Sequence, residues 1–284
     1  MQNSTFLKQL NTMENISSEP WPQDAVLFQP YEAEQILLFE QASCLAVKTY
    51  LKMCKLPVEV RSYANAEFMS PGGRMTKLPF LRVGAFIVAE FEPIVKFVEQ
   101  KVTAIGQWLD EDERADMRTY VSLVENILTM AELYISFMDG RVYDEITAPR
   151  NGCVFPWPLD KLQNFSKRRN ALRILKVYQW NDMTIDDVIA KVEKCCETLS
   201  IKLKTSGQSF FYGSEPCELD AVAFGHLFAI ITTHLPNSTL AQTVRKYQRL
   251  VEFCQHIDEM YFKVKGKYKC NALEKIIYIE QQPL

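Results

Sequence analysis

The first hundred residues carry short apolar runs separated by polar or turn-forming residues, a pattern typical of a small sheet. EQILLFE, residues 34–40, is a continuous apolar run between acidic residues and predicts a buried strand. VEVRSYA, residues 58–64, alternates apolar and polar positions and predicts a second strand. PFLRV and AFIVA, residues 79–83 and 85–89, are joined at Gly84 and predict a tight hairpin.

Two helical patterns lie among these strands. Residues 43–56 carry a broad apolar stripe, with Ser43 suited to cap the N-terminus of the helix and Pro57 to end it. Residues 92–100 form a short amphipathic pattern. A strand, a helix and a second strand in succession predict that the two strands are parallel, whereas the hairpin is antiparallel. The first part of the chain is therefore predicted to be a mixed α/β domain.

Beyond residue 105 the apolar residues recur at helical spacing. Five segments show this pattern: residues 112–139, 159–180, 184–204, 218–234 and 247–262. Thr184 is followed by Asp187, which predicts a capping box at the start of one helix. The segment 218–234 is apolar nearly all round, which predicts a buried central helix. The second part of the chain is thus predicted to be all-helical.

The change of pattern predicts the domain organisation. We expect an N-terminal arm over residues 1–24, a mixed α/β domain over 25–103, an all-helical domain over 110–263 and a basic and apolar tail over 264–284.

Composition and charge exclude several classes of function. The chain has 284 residues and a formal net charge of −3, which does not favour binding to nucleic acid. It has 10 glycines and no glycine-rich phosphate-binding motif. The 8 cysteines form no C-x-x-C pair and are not spaced with histidine as in zinc sites, so we expect no metal and no cofactor. No apolar stretch reaches the roughly 18–20 residues of a membrane span, so we expect that the chain does not cross a bilayer on its own.

Pro79 stands at the head of the third predicted strand, where proline is ordinarily a trans edge residue and a cis peptide is the alternative. With the domain order, this layout resembles the glutathione-transferase fold: a thioredoxin-like N-terminal domain followed by an all-helical C-terminal domain. The resemblance implies a cis bond at Pro79 and a backbone contact to ligand at Leu78. It also implies a buried capping box at CELD, in which Asp220 makes most of the hydrogen bonds because the Cys217 thiol is a weak partner.

Several longer motifs narrow the resemblance. EPWPQDAVLFQP, ANAEFMSP, KLPFLRVG, FPWPLD and CELDAVAFGHL occur in this order between residues 19 and 230, and together they resemble the metaxin family. This resemblance implies a non-catalytic, peripheral subunit on the cytosolic face of the mitochondrial outer membrane. It implies a part in protein import, in β-barrel assembly and in mitochondrial transport. The implied partners are metaxin 1, the outer-membrane β-barrel assembly machinery and motor-adaptor proteins.

A cytosolic glutathione-dependent transferase is the alternative from another class. In that family, the backbone before the cis-proline, a Glu/Gln-Ser pair after the fourth strand and a Tyr, Ser or Cys at the start of the first helix hold and activate glutathione. Here Leu78 supplies the first, but the pair reads Glu90-Phe91, so that a phenyl ring replaces the hydroxyl. Ser43 and Cys44 occupy the third place, where a helix N-terminus would lower the pKa of a thiol. The altered pair favours an N-cap and a core thiol over a catalytic pair.

Three other features have both a structural and a functional interpretation. His226 lies on the all-apolar segment and is expected to be a hydrogen-bonded core histidine rather than a ligand. KVKGKYK, residues 263–269, predicts a solvated tail or a contact with anionic lipid or an acidic partner. SKRRN, residues 166–170, predicts an exposed helix face.

Overall fold

In the computed structural model, which describes residues 21–64, 78–84, 86–102 and 105–263, the chain begins with a four-stranded sheet. The strands are β1 (Val26–Gln29), β2 (Glu59–Ser62), β3 (Phe80–Val83) and β4 (Phe86–Ala89). Their spatial order is β2-β1-β3-β4. β1 is parallel to β2 and antiparallel to β3, and β3 is antiparallel to β4. The predicted hairpin is confirmed. β2 has a parallel partner as predicted, but that partner is β1 and not residues 34–40.

The predicted strand over residues 34–40 is wrong, because the first strand lies earlier and this segment leads into a helix. Helix α1 is Leu38–Met53, and all four residues of β1 are buried. A short apolar run does not distinguish a buried strand from the buried start of a helix by its periodicity. The run at Ile36, Leu37 and Leu38 is buried against the core where α1 begins.

Ser43 is not the N-cap of α1, which begins five residues earlier. The cap position is Leu37, and its backbone N–H donates to Oε2 of Glu40 at 3.0 Å. Ser43 lies in the second turn, where its Oγ donates to the Phe39 carbonyl at 3.0 Å. The helix ends before Pro57, and Lys55 just beyond it adopts a left-handed conformation with a φ of 55°.

The third strand begins as the resemblance implied. The Leu78–Pro79 peptide bond is cis, and β3 starts at the next residue. Gly84 has a φ of 57° in the turn between β3 and β4, a conformation that a residue without a β-carbon adopts at little cost. Helix α2, Phe91–Lys101, follows the hairpin and buries one face, as its sequence pattern predicts.

The second part of the described chain is helical. Its elements are α3 (Glu111–Phe137), α4 (Gly140–Gly152), α5 (Leu159–Val177), α6 (Ile185–Ser206), α7 (Glu218–Thr232), α8 (Thr239–Arg245) and α9 (Gln248–Tyr261). Within α4, Tyr143–Thr147 form a π-helical turn. Thr184 and Asp187 form the predicted capping box of α6, with Asp187 N–H donating to Thr184 Oγ1 at 3.2 Å. The thioredoxin-like sheet domain and the helical bundle together form a glutathione-transferase-like fold.

Helix α7 joins the two halves. It is buried nearly all round, as predicted, and one apolar core cluster extends from β1 and α1 through α7 to α9. Gly225 on α7 faces the backbone of α1, where a β-carbon would stand 2.6 Å from the Ala42 carbonyl oxygen. Glycine at this position lets the two helices approach closely.

Parts of the sequence-based predictions concern residues outside the described ranges. These are most of the arm over residues 1–24, most of the ANAEFMSP motif, and the tail over 264–284. Within the ranges that are described, no single helix is both long and apolar enough to cross a bilayer. Among the described helices, α3 and α4 satisfy that criterion when they are taken together, and they meet at a bend of 73°.

Candidate functional site

A cleft of about 610 Å³ lies between the sheet domain and the helical domain. α1, the residue before Pro79, α3 and α5 form its walls. Most of the side chains in them are apolar, and they include Phe39, Leu78, Leu133, Phe137 and Ile174. A concave, mostly apolar cleft with a few polar groups is the usual form of a binding site.

An ion pair joins the two domains in the wall of this cleft. Lys167 Nζ on α5 lies 2.5 Å from Oε1 of Glu40 on α1, and both side chains are largely buried. The other carboxylate oxygen of Glu40 accepts from the Leu37 N–H. Both oxygens of the buried carboxylate are therefore engaged, one by a cation and one by a backbone donor.

The structure brings two of the sequence-predicted site residues together at the cleft. Ser43 and Leu78 both line it. The proton of the Ser43 hydroxyl is used in the bond to the Phe39 carbonyl, one helical turn earlier. In this arrangement Ser43 can accept a hydrogen bond from a bound molecule, whereas donating one requires the helix bond to break.

Cys44 does not join Ser43 at the cleft. It points to a separate, smaller cavity lined by Gln29 and Lys48 among others, and its side chain is buried. Burial raises the pKa of the Cys44 thiol far above its usual range, although Lys48 acts in the opposite direction. The predicted lowering of the Cys44 pKa by a helix N-terminus is wrong, because α1 begins six residues before Cys44 and the thiol lies in the interior of the helix.

The Glu90-Phe91 pair lies beside the cis-proline. The Glu90 N–H donates to the Pro79 carbonyl at 3.2 Å, and Glu90 has a φ of 71° at the N-cap of α2. The Phe91 ring packs edge-on against Tyr50 of α1, with ring centroids 5.7 Å apart. At the place where the transferase pattern has a hydroxyl, this chain therefore places an aromatic ring that packs into the sheet domain.

Asp220 forms the buried capping box of α7, as predicted. Its Oδ2 accepts from the Cys217 N–H at 2.8 Å and from the Cys217 thiol at 3.0 Å, and its Oδ1 accepts from the Phe211 N–H at 2.9 Å. Burial raises the pKa of Asp220 to about 6, although these hydrogen bonds act in the opposite direction. Asp220 thus ties the segment before α7 to the helix itself.

Two further acidic groups near α7 have raised pKa values. Burial, together with the nearby carboxylate of Glu99, raises the pKa of Glu218 to about 7. Burial also raises the pKa of Glu132, whose Oε1 lies 2.8 Å from Nδ1 of His226. Burial lowers the pKa of His226, but the charge of Glu132 outweighs it and the net shift is upward. His226 is a hydrogen-bonded core histidine, as the sequence predicted.

Sequence reasoning missed three residues of these sites. The sequence pattern places Glu40 in a strand and Lys167 on an exposed face over residues 166–170, whereas Lys167 is largely buried against Glu40. Glu132 lies 94 positions from its partner His226, and no local pattern links them. Across the ranges that the structure describes, no group of His, Cys, Asp and Glu side chains is arranged to hold a metal ion.

Comparison with known families gives two matches. Residues 42–142 match the glutathione S-transferase N-terminal domain, and residues 192–257 match the glutathione S-transferase C-terminal domain. Among solved structures, the glutathione transferase GSTFuA3 from Phanerochaete chrysosporium has a TM-score of 0.58 at 13% identity, covering 85% of this chain and 98% of that one. Likeness at this level of identity concerns the fold.

Similarity in sequence is higher to another group of proteins. The chain is 43% identical to metaxin-2 of Homo sapiens over 88% of this chain and 94% of that protein. It is 36% identical to the metaxin-2 homolog of Caenorhabditis elegans, over 82% of this chain and 99% of that one. Identity to metaxin-1 of Mus musculus is 27%, over 78% of this chain and 70% of that one.

Proposed function

Because the chain belongs to the metaxin family, we propose that it is a non-catalytic binding subunit at the cytosolic face of the mitochondrial outer membrane. In this role it binds metaxin 1 and takes part in protein import and β-barrel assembly through the outer-membrane assembly machinery. The same surfaces serve mitochondrial transport through motor-adaptor proteins. The proposed mechanism is recognition by a rigid scaffold rather than chemistry.

The binding role is supported by the residues that stand where glutathione transferases hold and activate glutathione. The Phe91 ring packs on Tyr50 where a hydroxyl would meet the carboxylate of glutathione. Cys44 is buried away from the cleft, and its thiol is kept protonated by burial. A reactive group that lacks a positioned substrate loses most of its catalytic advantage. What remains at the domain boundary is an apolar cleft that suits binding.

Affinity capture tests this proposal. We expect the tagged full chain, recovered from mildly solubilised mitochondria, to bring down metaxin 1 and subunits of the β-barrel assembly machinery. A chain that is recovered alone, with no partner from the membrane, would contradict the proposal. The matched control is the same tag on an unrelated glutathione transferase.

A glutathione-dependent transferase is the second candidate, and one observation favours it. Ser43 and Leu78 line the same cleft, as the hydroxyl and the backbone group of a transferase would. Calorimetric titration with glutathione separates the two candidates. We expect no measurable heat of binding for the natural chain. Binding that is tightened by Phe91→Ser and weakened by Ser43→Ala would favour the transferase instead.

A further inference from the structure

α5 and the residues that flank it expose several large apolar side chains. In the portion of the chain that the structure describes, seven such side chains are more than half exposed. Five of them lie between residues 157 and 178, namely Trp157, Leu162, Phe165, Val177 and Tyr178, and the other two are Ile201 and Met260. Single exposed apolar residues are normal on a soluble surface, but a cluster on one element marks an interaction site.

The same helix is strongly basic in an acidic protein. Between residues 157 and 178 the chain has six basic residues, Lys161, Lys167, Arg168, Arg169, Arg173 and Lys176, and one acidic residue, Asp160. Lys167 is paired with Glu40, and Arg168 lies over the Tyr143 ring at 4.0 Å. The remaining four basic side chains are exposed. The whole chain carries −3, so α5 is a local positive patch.

Two of the exposed apolar residues and three of the exposed basic residues share one face of α5. At 3.6 residues per turn, Leu162, Phe165, Arg169, Arg173 and Lys176 fall within an arc of about 80°. Ala171 and Leu175, on the opposite side, are buried in the core. The outward face of α5 therefore runs from an apolar end to a basic end. Trp157, with 79% of its surface exposed, stands just before the helix at the apolar end.

We propose that this outward face of α5 docks directly onto an anionic phospholipid bilayer. Trp157, Leu162 and Phe165 insert below the headgroups, while Arg169, Arg173 and Lys176 meet lipid phosphates. Tryptophan and basic residues are the side chains that favour the membrane–water interface. The lack of exposed acids on this arc matches a surface of uniform negative charge better than the mixed charge of an ordinary protein surface.

The proposal deepens the proposed location, because it has the chain contact lipid itself and not only through metaxin 1. Purified full chain is mixed with vesicles of phosphatidylcholine, or with vesicles in which a third of the lipid is phosphatidylserine, and the bound fraction is measured by co-sedimentation. We expect binding to the anionic vesicles that weakens at high salt. Each basic residue near such a surface contributes about five-fold in affinity, so Arg169→Glu/Arg173→Glu/Lys176→Glu should lower it at least about 100-fold.

Two matched controls make the test specific. Lys191→Glu/Lys194→Glu/Lys204→Glu makes the same change in net charge on α6, and should retain most of the binding. Leu162→Ser/Phe165→Ser removes two apolar side chains from α5, and Ile201→Ser/Met260→Ser removes two elsewhere. Only the α5 pair should weaken binding. Circular dichroism and thermal melts establish that each variant is folded.

Several results would overturn the proposal. Equal binding to neutral and anionic vesicles, or no binding to either, would contradict it. Unchanged binding of both α5 variants would place any lipid contact elsewhere, for example in residues 264–284. If the α5 variants lose a protein partner in affinity capture but the chain never binds vesicles, this face binds an acidic protein. The vesicle assay contains no metaxin 1, so its failure and a failed capture are separate outcomes.

Discussion

Gly225 on α7 lies directly against Ala46 on α1: a β-carbon on Gly225 would stand 2.6 Å from the Ala46 nitrogen and 2.7 Å from its β-carbon. This contact joins the helical domain to the thioredoxin-like domain backbone to backbone. The two domains are therefore held in close contact at this point.

Gly225→Ala is expected to destabilise the protein strongly. The added methyl meets backbone atoms of α1, which cannot move aside as a flexible side chain would. Overpacking of this kind costs about 1–3 kcal/mol and occasionally more. Urea unfolding measures the loss. Gly140→Ala is the control, because nothing lies within 4 Å of its β-carbon position, and its midpoint should stay close to that of the natural chain.

Asp220→Ala is expected to cost more than the roughly 1–2 kcal/mol of an ordinary lost cap. It leaves the buried N–H groups of Cys217 and Phe211 without their acceptor, and each such group costs about 1–3 kcal/mol. Asp187→Ala removes the same kind of box at the exposed start of α6. Denaturant midpoints that shift equally for the two variants would show that the burial of Asp220 adds nothing.

Glu218→Gln is expected to stabilise the protein at high pH but not at low pH. Folding raises the pKa of Glu218 from 4.5 to about 7, so the native state holds this proton more tightly than the unfolded chain. Its contribution to stability is present in full below pH 4.5 and is lost as the pH rises through 7. Between about pH 5 and about pH 8, the free energy of unfolding of the variant should rise by about 1–2 kcal/mol relative to that of the natural chain.

Denaturation series at the two pH values test this directly, with Glu215→Gln as an exposed control. The raised pKa of Glu218 would be contradicted if the difference in free energy of unfolding between the variant and the natural chain did not depend on pH. A difference that becomes smaller as the pH rises would also contradict it.

Lys167→Met is expected to destabilise the protein by about 3 kcal/mol, because it leaves the buried Glu40 carboxylate without its cation. The double variant Glu40→Gln/Lys167→Met should recover most of the loss, since the amide oxygen introduced at position 40 can still accept from the Leu37 N–H. A double-mutant cycle measures the coupling between the two residues. Lys161→Met is the control on the exposed side of α5, and a coupling energy near zero would refute the prediction.

The sequence predicted the long helices and the hairpin where side-chain periodicity is clear, but it missed α4 and α8 and misplaced the first strand. β1 and the start of α1 are both short apolar runs, and only tertiary packing decides between them. The capping box at Asp220 was predictable because its parts lie three residues apart. The Glu40–Lys167 and Glu132–His226 pairs were not predictable, because the two residues of each pair lie 127 and 94 positions apart and only the fold brings them together.

The apolar core that extends from β1 and α1 through α7 has a consequence for how the chain unfolds. Because one continuous apolar cluster spans both halves of the described chain, disrupting one half exposes the buried face of the other. The whole described core should then melt in a single cooperative transition, with the slowest amide exchange in α1 and α7 together. Neither half should be separable as an independent fragment, so this fold behaves as one unit despite its two architectures.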